Sequence, residues 1–524
     1  MNLSKAVFSV SALTLLSRIT GLMRDQIGAH YFGTSAMMDA FQIAFRIPNL
    51  LRRLFAEGAF SQAFVPLLSA TRAKDGDAAT RELVSAVATV LSWTLTAVCI
   101  IGVATAPVLV WLLASGFGPS THGAAVDMTR WMFPYIGCMS LVALSAGVLN
   151  TWQRFAVPAF TPVLLNLSVI GAAWLLVPVL QRRGTEPVYA LALGVMAGGV
   201  LQLALQWPAL RRVNMLPRVA MTGSGVRQAF GHPGVRRILR QMGPALIGVS
   251  VAQLSMVINS QIASRLGTGA VSTITFADRL MELPIALLGV ALGVVLTPQL
   301  SAAQARQDSA AYSGLLDWGL RLVLLLALPC SVALLAFAQP MVATLFQRGA
   351  FGASSVASTS AAVMGYGVGL LGLVGVKVAA PGYYARLDMK TPMRVGIAVM
   401  VLTQLFNALL VPWLGTTALT LSLGLAALVN VGWLLIGLRR LGTWTPAPGW
   451  WGLVWRVLLA SAVMGAGMAW VNWNFDWIAL GQHEARRAAW MALALAMAAV
   501  VYFGILSACG LNLRQLWRHQ VKTP

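Results

Sequence analysis

Long runs of apolar residues recur along the whole chain, and short polar connections separate them. Runs of about 18 or more residues can cross a bilayer as α-helices, whereas a β-barrel would show shorter segments that alternate. The pattern predicts an all-α polytopic membrane protein with 14 spans. They cover residues 5–28, 36–68, 84–112, 128–149, 158–180, 187–209, 242–264, 271–300, 315–337, 356–380, 392–413, 416–438, 452–473 and 487–509.

The composition supports this membrane class. Of the 524 residues, 58% are hydrophobic and only 10% are charged, and the mean hydropathy is +0.76. Soluble chains carry roughly a quarter charged residues, so this chain has too few polar groups to cover itself in water. The four cysteines lie in apolar runs without metal-ligand spacing, and we interpret them as free core residues.

The net charge of +22 would indicate a nucleic-acid partner in a soluble chain, but here the basic residues fall in short loops. With the N-terminus in the cytoplasm, about 22 basic residues lie inside and about 6 outside, as the positive-inside rule requires. We therefore predict that both termini are cytoplasmic and that no nucleic acid binds. The first apolar run is expected to stay as a helix, because Arg18 interrupts it and no signal-peptide cleavage site follows.

A weak internal repeat divides the chain. "VPLLSATRAK" from Val65 matches "TPQLSAAQAR" from Thr297 at an offset of 232 residues, and two shorter matches have offsets of 233 and 235. This offset spans six predicted helices, so both copies cross the membrane in the same direction, and a substrate site between them is expected. The predicted domains are an N-lobe (1–210), a basic cytoplasmic linker (211–240), a C-lobe (241–440) and a last segment with two further helices (441–524).

Three spans carry charges where hydrocarbon is expected. A charge at bilayer depth costs at least about 2.5–3.5 kcal/mol, so such groups pair, snorkel to an interface or face a wet cavity. In the second span, Asp39, Arg46 and Arg53 are spaced by seven residues and share one helical stripe. The charged residues of the first, second and eighth spans are Arg18, Arg24 and Asp25; Asp39, Arg46, Arg52, Arg53 and Glu57; and Asp278, Arg279 and Glu282.

Arginine is always protonated and presents a planar fork of donors that suits phosphate. We therefore hypothesise a wet anion-binding cavity between two helical lobes, to which these three spans bring arginines. A purely structural pair of Arg279 with Glu282 is the alternative for the eighth span. Snorkelling is favoured for Arg130 and Arg321 near span ends, and for Lys377 snorkelling and a cavity position both stay open.

Several motifs carry a family resemblance. "RDQIGAHYFG", "MDAFQIAFRIPNLLRRLFAEGAFSQAFVP", "LNTWQRFAVPAFTPVLLN" and "KVAAPGYYARLDMKTP" resemble the MurJ family of lipid II flippases, which belongs to the multidrug/oligosaccharidyl-lipid/polysaccharide exporter superfamily. The resemblance implies two six-helix lobes around a central cavity, and two extra helices in 441–524 that line a groove for the polyprenyl tail. It implies movement of lipid II from the cytoplasmic to the periplasmic leaflet of the bacterial inner membrane by alternating access.

The resemblance also implies roles for single residues. The expected substrate-binding residues, which include arginines for the pyrophosphate, are Ser17, Arg18, Arg24, Asn49, Arg52 and Arg279. The expected gating or ion-pairing residues are Asp25, Asp39, Arg53, Glu57, Asp278 and Glu282. Gly21, Gly289 and Gly293 are expected to permit rocking of the helices.

The chain has no GxxxxGK[ST] motif and no predicted soluble domain to hold one, so energy must come from the membrane potential, an ion gradient or substrate concentration. We expect a monomeric transporter and no enzyme, with lipid II and membrane lipids as partners and without cofactor or metal. Whether cell-wall synthesis proteins bind it stays open.

Two other functions are the alternatives to this one. An ion-coupled exporter of the same superfamily would carry drugs or other polyprenyl-linked oligosaccharides, but cationic drugs favour an acidic cavity and this one is basic. A polyprenyl-phosphate-processing enzyme would need carboxylates or histidines near a membrane face, and the five histidines are scattered. The linker 211–240 is favoured as a simple positive-inside loop, with contact to anionic headgroups as the alternative.

Overall fold

The apolar runs fold into helices, and prolines, glycines and polar caps mark most of their ends. The computed structural model describes residues 3–52 and 60–511, with side chains described for 10–50, 60–242 and 253–511. These residues form helices and connecting turns without any strand, which confirms the all-α class. Two expected site residues, Arg53 and Glu57, lie outside the described residues, as does the side chain of Arg52.

The chain divides into two compact units, Met1–Ser272 and Thr273–Pro524. The first unit contains ten helices among the described residues and the start of an eleventh. They are α1 (Leu3–Phe32), α2 (Ala36–Arg52), α3 (Phe60–Ala104), α4 (Ala106–Ala114), α5 (Pro119–Met132), α6 (Tyr135–Thr151), α7 (Ala156–Arg182), α8 (Tyr189–Arg212), α9 (Gly223–Gly231), α10 (Pro233–Arg265) and α11 (Ala270–Pro284).

Helix α3 is two helices that meet at Gly76. Its φ of 79° and ψ of −176° lie outside the helical region, and glycine adopts such angles at little steric cost. The junction falls in the polar stretch around Lys74 that separates the second and third predicted spans. Helix α3 packs against α6 and α10, and α7 packs against α1 and α8.

In the second unit, a π-helical turn (Ile285–Val290) follows α11, and a 3-10 turn (Ala479–Gln482) lies between α19 and α20. The described α-helices after α11 are α12 (Ala291–Ala305), α13 (Ser309–Ala336), α14 (Ala338–Phe346), α15 (Ala353–Ala379), α16 (Pro381–Tyr384), α17 (Lys390–Leu414), α18 (Thr416–Arg440), α19 (Trp450–Asn474) and α20 (Glu484–Ala508).

Helix α15 is the centre of the second unit, since it packs against both α13 and α18. Its crossing with α18 is very close, because a Cβ atom placed on Gly369 would lie 1.9 Å from the Cα atom of Gly424. Small residues at such crossings let the backbones of membrane helices approach one another. Helix α13 also contacts α19, which in turn packs against α20.

Within the described residues, 11 helical segments are long and apolar enough to cross a membrane. They overlap predicted spans from the third to the sixth and from the eighth to the fourteenth. The other three predicted spans overlap α1, α2 and α10, so the total of 14 stays a prediction. The boundaries of the four predicted domains likewise stay a prediction.

Candidate functional site

Two polar neighbours hold the Arg24 side chain in α1. Its Nε and Nη2 donate to Asp25 Oδ1 at 3.1 and 2.8 Å, and its Nη1 donates to Oδ1 of Asn166 in α7 at 3.2 Å. The side chains of Arg24 and Asp25 are 17% and 13% exposed. A carboxylate and an amide therefore fix the guanidinium plane in a largely buried position.

Asn166 was not among the expected site residues. Its Nδ2 donates to the Ser17 carbonyl oxygen and to Thr20 Oγ1, both at 3.1 Å, so the amide is bound to α1 by both of its ends. The signal in the sequence is a lone amide inside the apolar run "TPVLLNLSVIG", because polar side chains in such runs commonly bond across helices. Asn166 positions Arg24 and joins α7 to α1.

The structure places Ser17 with Arg24 but places Arg18 elsewhere on α1. Ser17 and Arg24 are seven residues apart and share one face of the helix, whereas Arg18 lies about 120° around the helix from Arg24. Arg18 is exposed beside the exposed side chains of Leu15 and Ile19. The described residues of the first unit therefore do not gather Arg18 and Arg24 into one cluster.

Asp39 in α2 binds the N-terminus of α11. Its two carboxylate oxygens accept hydrogen bonds from the backbone N–H groups of Gly269 and Ser272, each at 2.7 Å. The residue is 1% exposed. An anion at a helix N-terminus satisfies N–H groups that have no intrahelical acceptor and interacts favourably with the helix dipole.

Glycine is required at the turn that Asp39 binds. Gly269 has a φ of +86°, and a Cβ atom there would lie 2.3 Å from the Thr34 carbonyl oxygen. The turn before α11 therefore sits directly against the residues that precede α2. This close approach brings the backbone N–H of Gly269 within reach of Asp39.

Arg46 lies seven residues after Asp39 on the same face of α2 and links this helix to α10. Its Nη1 donates to Ser260 Oγ in α10 at 2.5 Å, and Ser260 is fully buried. Asn49 is half-buried on the same helix. Arg46 and Asp39 of α2 thus bind α10 and the turn after it, respectively.

In the second unit, Asp278 and Arg279 of α11 have different partners. Asp278 Oδ1 accepts a hydrogen bond from the Tyr366 hydroxyl of α15, and Arg279 Nη1 donates to Glu282 Oε2 at 3.2 Å. The Arg279 and Glu282 side chains are partly exposed. Tyr366 was not among the expected residues, because a tyrosine in an apolar helix carries no distinct signal in the sequence.

The helix changes its hydrogen-bonding pattern directly after this cluster. Pro284 ends α11, and the next six residues, Ile285–Val290, form a π-helical turn. A proline removes one backbone donor, and π-turns are frequent at functional sites. Gly289 in this turn packs against Lys377, since a Cβ atom there would lie 3.0 Å from Lys377 Cγ. Lys377 itself is exposed.

The Arg321 side chain has acceptors on its own helix and in a loop, and its snorkelling stays a prediction. Its Nε donates to Asp317 Oδ2 at 2.7 Å, and its Nη2 donates to the carbonyl oxygens of Ala447 and Pro448 at 3.0 and 2.9 Å. Acceptors from the loop before α19 satisfy the guanidinium in place. Arg130, in contrast, is well exposed beside Asp127, as snorkelling requires.

An apolar groove of about 370 Å³ runs between α19 and α20. Tryptophan, methionine and small side chains line it, among them Gly467, Trp470, Ala494 and Met497. Its surface is almost free of polar atoms, so it suits a hydrocarbon chain. Elsewhere in the described part of the chain, no group of three His, Cys, Asp or Glu side chains is arranged to hold a metal ion.

Comparison with known proteins identifies the family. The family model of the lipid II flippase MurJ matches residues 28–482. A curated relative from Burkholderia cenocepacia, named lipid II flippase MurJ, is 49% identical over 512 residues, which cover 97% of this chain and 98% of that protein. The chain belongs to the MurJ family.

Other MurJ relatives agree. A protein of Vibrio cholerae named probable lipid II flippase MurJ is 37% identical over 98% of this chain and 97% of its own length. Among solved structures, a lipid II flippase MurJ in an inward closed conformation matches with a TM-score of 0.79 at 23% identity, covering 97% of this chain and 99% of that one. That structural likeness shows the fold.

The fold is also similar to that of a transporter outside the MurJ family. An inward-facing multidrug resistance MATE transporter of the MOP superfamily matches with a TM-score of 0.63 at 16% identity, covering 83% of this chain and 98% of that one. The predicted class, a multi-pass membrane transporter rather than an enzyme, agrees with the family that the model and the curated relatives show.

Proposed function

We propose that this protein moves lipid II from the cytoplasmic to the periplasmic leaflet by alternating access, and that its arginines bind the pyrophosphate. The family and the names of its relatives support lipid II as the substrate. The number of hydrogen-bond donors that Arg24 has left is the observation that supports pyrophosphate binding. A guanidinium has five N–H donors, and within the described residues three of them bind Asp25 and Asn166, so two are left for a phosphate.

The Arg24 pair with Asp25 explains how the site tolerates its charge without substrate. Asp25 compensates the guanidinium at low exposure, and a diphosphate that reaches the site offers oxygens of the same charge and geometry. We propose that the headgroup takes up the two remaining donors first and then competes with Asp25 for the donors that Asp25 holds. That Arg18, Arg52 and Arg279 bind the same headgroup stays a prediction, as does the part of Ser17 and Asn49.

Transport in proteoliposomes tests this role. We expect Arg24→Ala to abolish translocation of a fluorescent lipid II analogue and Arg24→Lys to retain a small part of it, because lysine cannot form the planar fork. Arg182→Ala, at an exposed arginine at the C-terminus of α7, is the matched control and should transport normally. Normal transport by Arg24→Ala at equal protein level would contradict the proposal.

We propose that Asp39 and Arg46 belong to the gate. Both hold α2 to α10 and to the start of α11, and a change of access that moves α2 must release these bonds. Asp278 and Glu282 are proposed to act in the same way on α11, where Tyr366 and Arg279 hold them. The adjacent π-turn with Gly289 supplies a bendable point beside these contacts.

The groove between α19 and α20 is proposed to hold the polyprenyl tail. Ala494→Trp would fill the groove, and we expect it to lower the rate for full-length lipid II several-fold more than for an analogue with a short tail. Ala492→Trp lies two residues away on the exposed face of α20 and is the matched control. Equal effects of the two substitutions would argue against a tail site here.

We also propose that both termini face the cytoplasm. The excess of basic residues in one set of loops supports this orientation. Labelling of single cysteines at Ser224 and Gly184 with a membrane-impermeant maleimide in intact cells tests it. We expect Gly184→Cys to react in intact cells and Ser224→Cys to react only after lysis, and the reverse pattern would contradict it.

A further inference from the structure

The connection between α8 and α9 is a non-helical strap that runs along α3. The backbone N–H groups of Arg218 and Ala220 donate to Ser85 Oγ at 3.2 Å and to Thr89 Oγ1 at 3.0 Å. Trp93 Nε1 donates to the Ala220 carbonyl oxygen at 3.0 Å. Three polar side chains, four residues apart on one face of α3, therefore satisfy backbone groups of this strap.

The position of the strap relative to the bilayer follows from the exposed side chains of α3 and α4. Large apolar side chains are exposed at intervals from Trp93 to Leu112, a distance of about 28 Å along the helices, which is close to the hydrocarbon thickness of about 30 Å. Before Trp93, α3 is largely buried from Leu83 to Val90. The strap thus lies at the level of the headgroups, and Trp93 marks the boundary with the acyl chains, where tryptophan is enriched.

The segment that follows the strap is anchored on one face and exposed on the other. Ala229, Val235 and Ile238 are buried in the same core as Leu83 of α3. Met221, at the level of Trp93, is 78% exposed, and Phe230 is exposed as well. A fixed backbone that presents apolar side chains at a membrane boundary has the character of an interfacial element.

The positive charge of residues 211–240 indicates which kind of lipid they bind. Residues 211–240 contain seven arginines and no acidic residue. All seven arginine side chains are exposed, and none forms a salt bridge with a carboxylate among the described residues. Guanidinium groups beside a bilayer bind phosphate oxygens of lipid headgroups, and an anionic leaflet attracts each of them.

We propose that residues 211–240 form a collar that binds anionic phospholipids, with the arginines on the headgroup phosphates and Met221 at the acyl boundary. The collar extends the protein's contact with its membrane beyond the spans. It does not depend on the identity of the transported substrate. Ser85, Thr89 and Trp93 of α3 bind the backbone of the strap, which is part of the collar, and these bonds hold the collar at one depth in the membrane.

The test places a fluorophore on Met221→Cys in a variant whose four native cysteines are replaced by alanine, reconstituted in phosphatidylcholine nanodiscs. Nitroxide-labelled phosphatidylglycerol or nitroxide-labelled phosphatidylcholine is then titrated as quencher. We expect both lipids to quench, and phosphatidylglycerol to do so at several-fold lower mole fraction. One basic residue near an anionic surface contributes about fivefold in association.

Paired substitutions distinguish specific lipid binding by the collar from attraction to the general surface charge. Arg218→Gln with Arg227→Gln should lower the preference for phosphatidylglycerol at least fivefold, and Arg211→Gln with Arg212→Gln should act similarly. Arg182→Gln with Arg183→Gln, an exposed pair at the C-terminus of α7, should leave it unchanged.

Three outcomes would overturn the proposal. If neither lipid quenches the fluorophore, the strap is not at the membrane. Equal quenching by both lipids removes the preference for an anionic headgroup. An equal loss of preference with the Arg182 and Arg183 pair would show that the attraction is general surface charge and no collar exists. A lipid II transport assay on the same variants tests the proposed flippase function separately, because lipid binding by the collar does not require that function.

Discussion

The bond between Asp39 and the N-terminus of α11 is the contact whose loss has the most predictable effect. Asp39→Asn keeps the size of the side chain but replaces one acceptor oxygen with an N–H donor. One of the two backbone N–H groups, of Gly269 or Ser272, then faces a donor in a buried position. An unsatisfied buried group costs about 1–3 kcal/mol, and loss of the anion at a helix N-terminus adds up to about 2 kcal/mol.

Asp308→Asn is the matched control. Asp308 caps α13 through a single bond from the Ala311 N–H to its Oδ1 at 2.9 Å, and it is exposed. Asparagine caps a helix as well as aspartate does, and one oxygen is enough for one N–H, so this change should cost only a few tenths of a kcal/mol.

Thermal unfolding of both variants in lipid nanodiscs gives the comparison. We expect the midpoint of Asp39→Asn to fall by several degrees, because about 2–4 kcal/mol is lost, and the midpoint of Asp308→Asn to stay within one degree or so of the parent. Asp39→Asn should also lose transport if the gate needs this bond. Equal midpoints for the two variants would refute the assignment of Asp39 as a buried cap.

Further substitutions test the other contacts. Asn166→Leu should leave the protein level normal but raise severalfold the lipid II concentration for half-maximal transport, since Arg24 loses its second anchor; an unchanged concentration would argue against this role. Gly369→Val should abolish folded protein in detergent extracts, while Gly396→Val, where a Cβ atom meets nothing within 4 Å, should be tolerated. Asp317→Asn should lower the unfolding midpoint, because the largely buried Arg321 loses its carboxylate, and no change would mean that the loop carbonyls suffice.

Much of the fold could be predicted from the sequence because membrane helices are local. A run of apolar residues in a membrane must satisfy its own backbone, so the apolar runs of the sequence predict most of the long helices that the structure shows. The charged helices α1 and α2 were predicted as well, since their apolar residues still form a helical pattern. The connection around Gly76 could not be predicted in the same way. The polar stretch there indicated a loop, whereas in the structure only Gly76 departs from the helical conformation.

The partners of the charged residues could not be predicted from the sequence. Asp39 binds backbone groups 230 and 233 residues away, and a backbone N–H carries no signature in the sequence. Arg24 binds Asn166 from 142 residues away, and Asp278 binds Tyr366 from 88 residues away. Local pattern predicts which residues are charged inside a helix, but packing of distant helices decides what neutralises them.

These partners suggest why the charges in the first unit suit transport. A buried arginine without any acceptor would be too costly to keep in a membrane helix, and one enclosed by several carboxylates would not release to bind a phosphate. Arg24 lies between these extremes, with one carboxylate, one amide and two remaining donors among the described residues. Exchange of a carboxylate for a phosphate of similar charge changes the electrostatic energy little, so binding and release both remain accessible. If the Asp25→Asn variant bound lipid II more weakly than the parent, this exchange would be wrong, because removal of the competing carboxylate should strengthen binding of the headgroup.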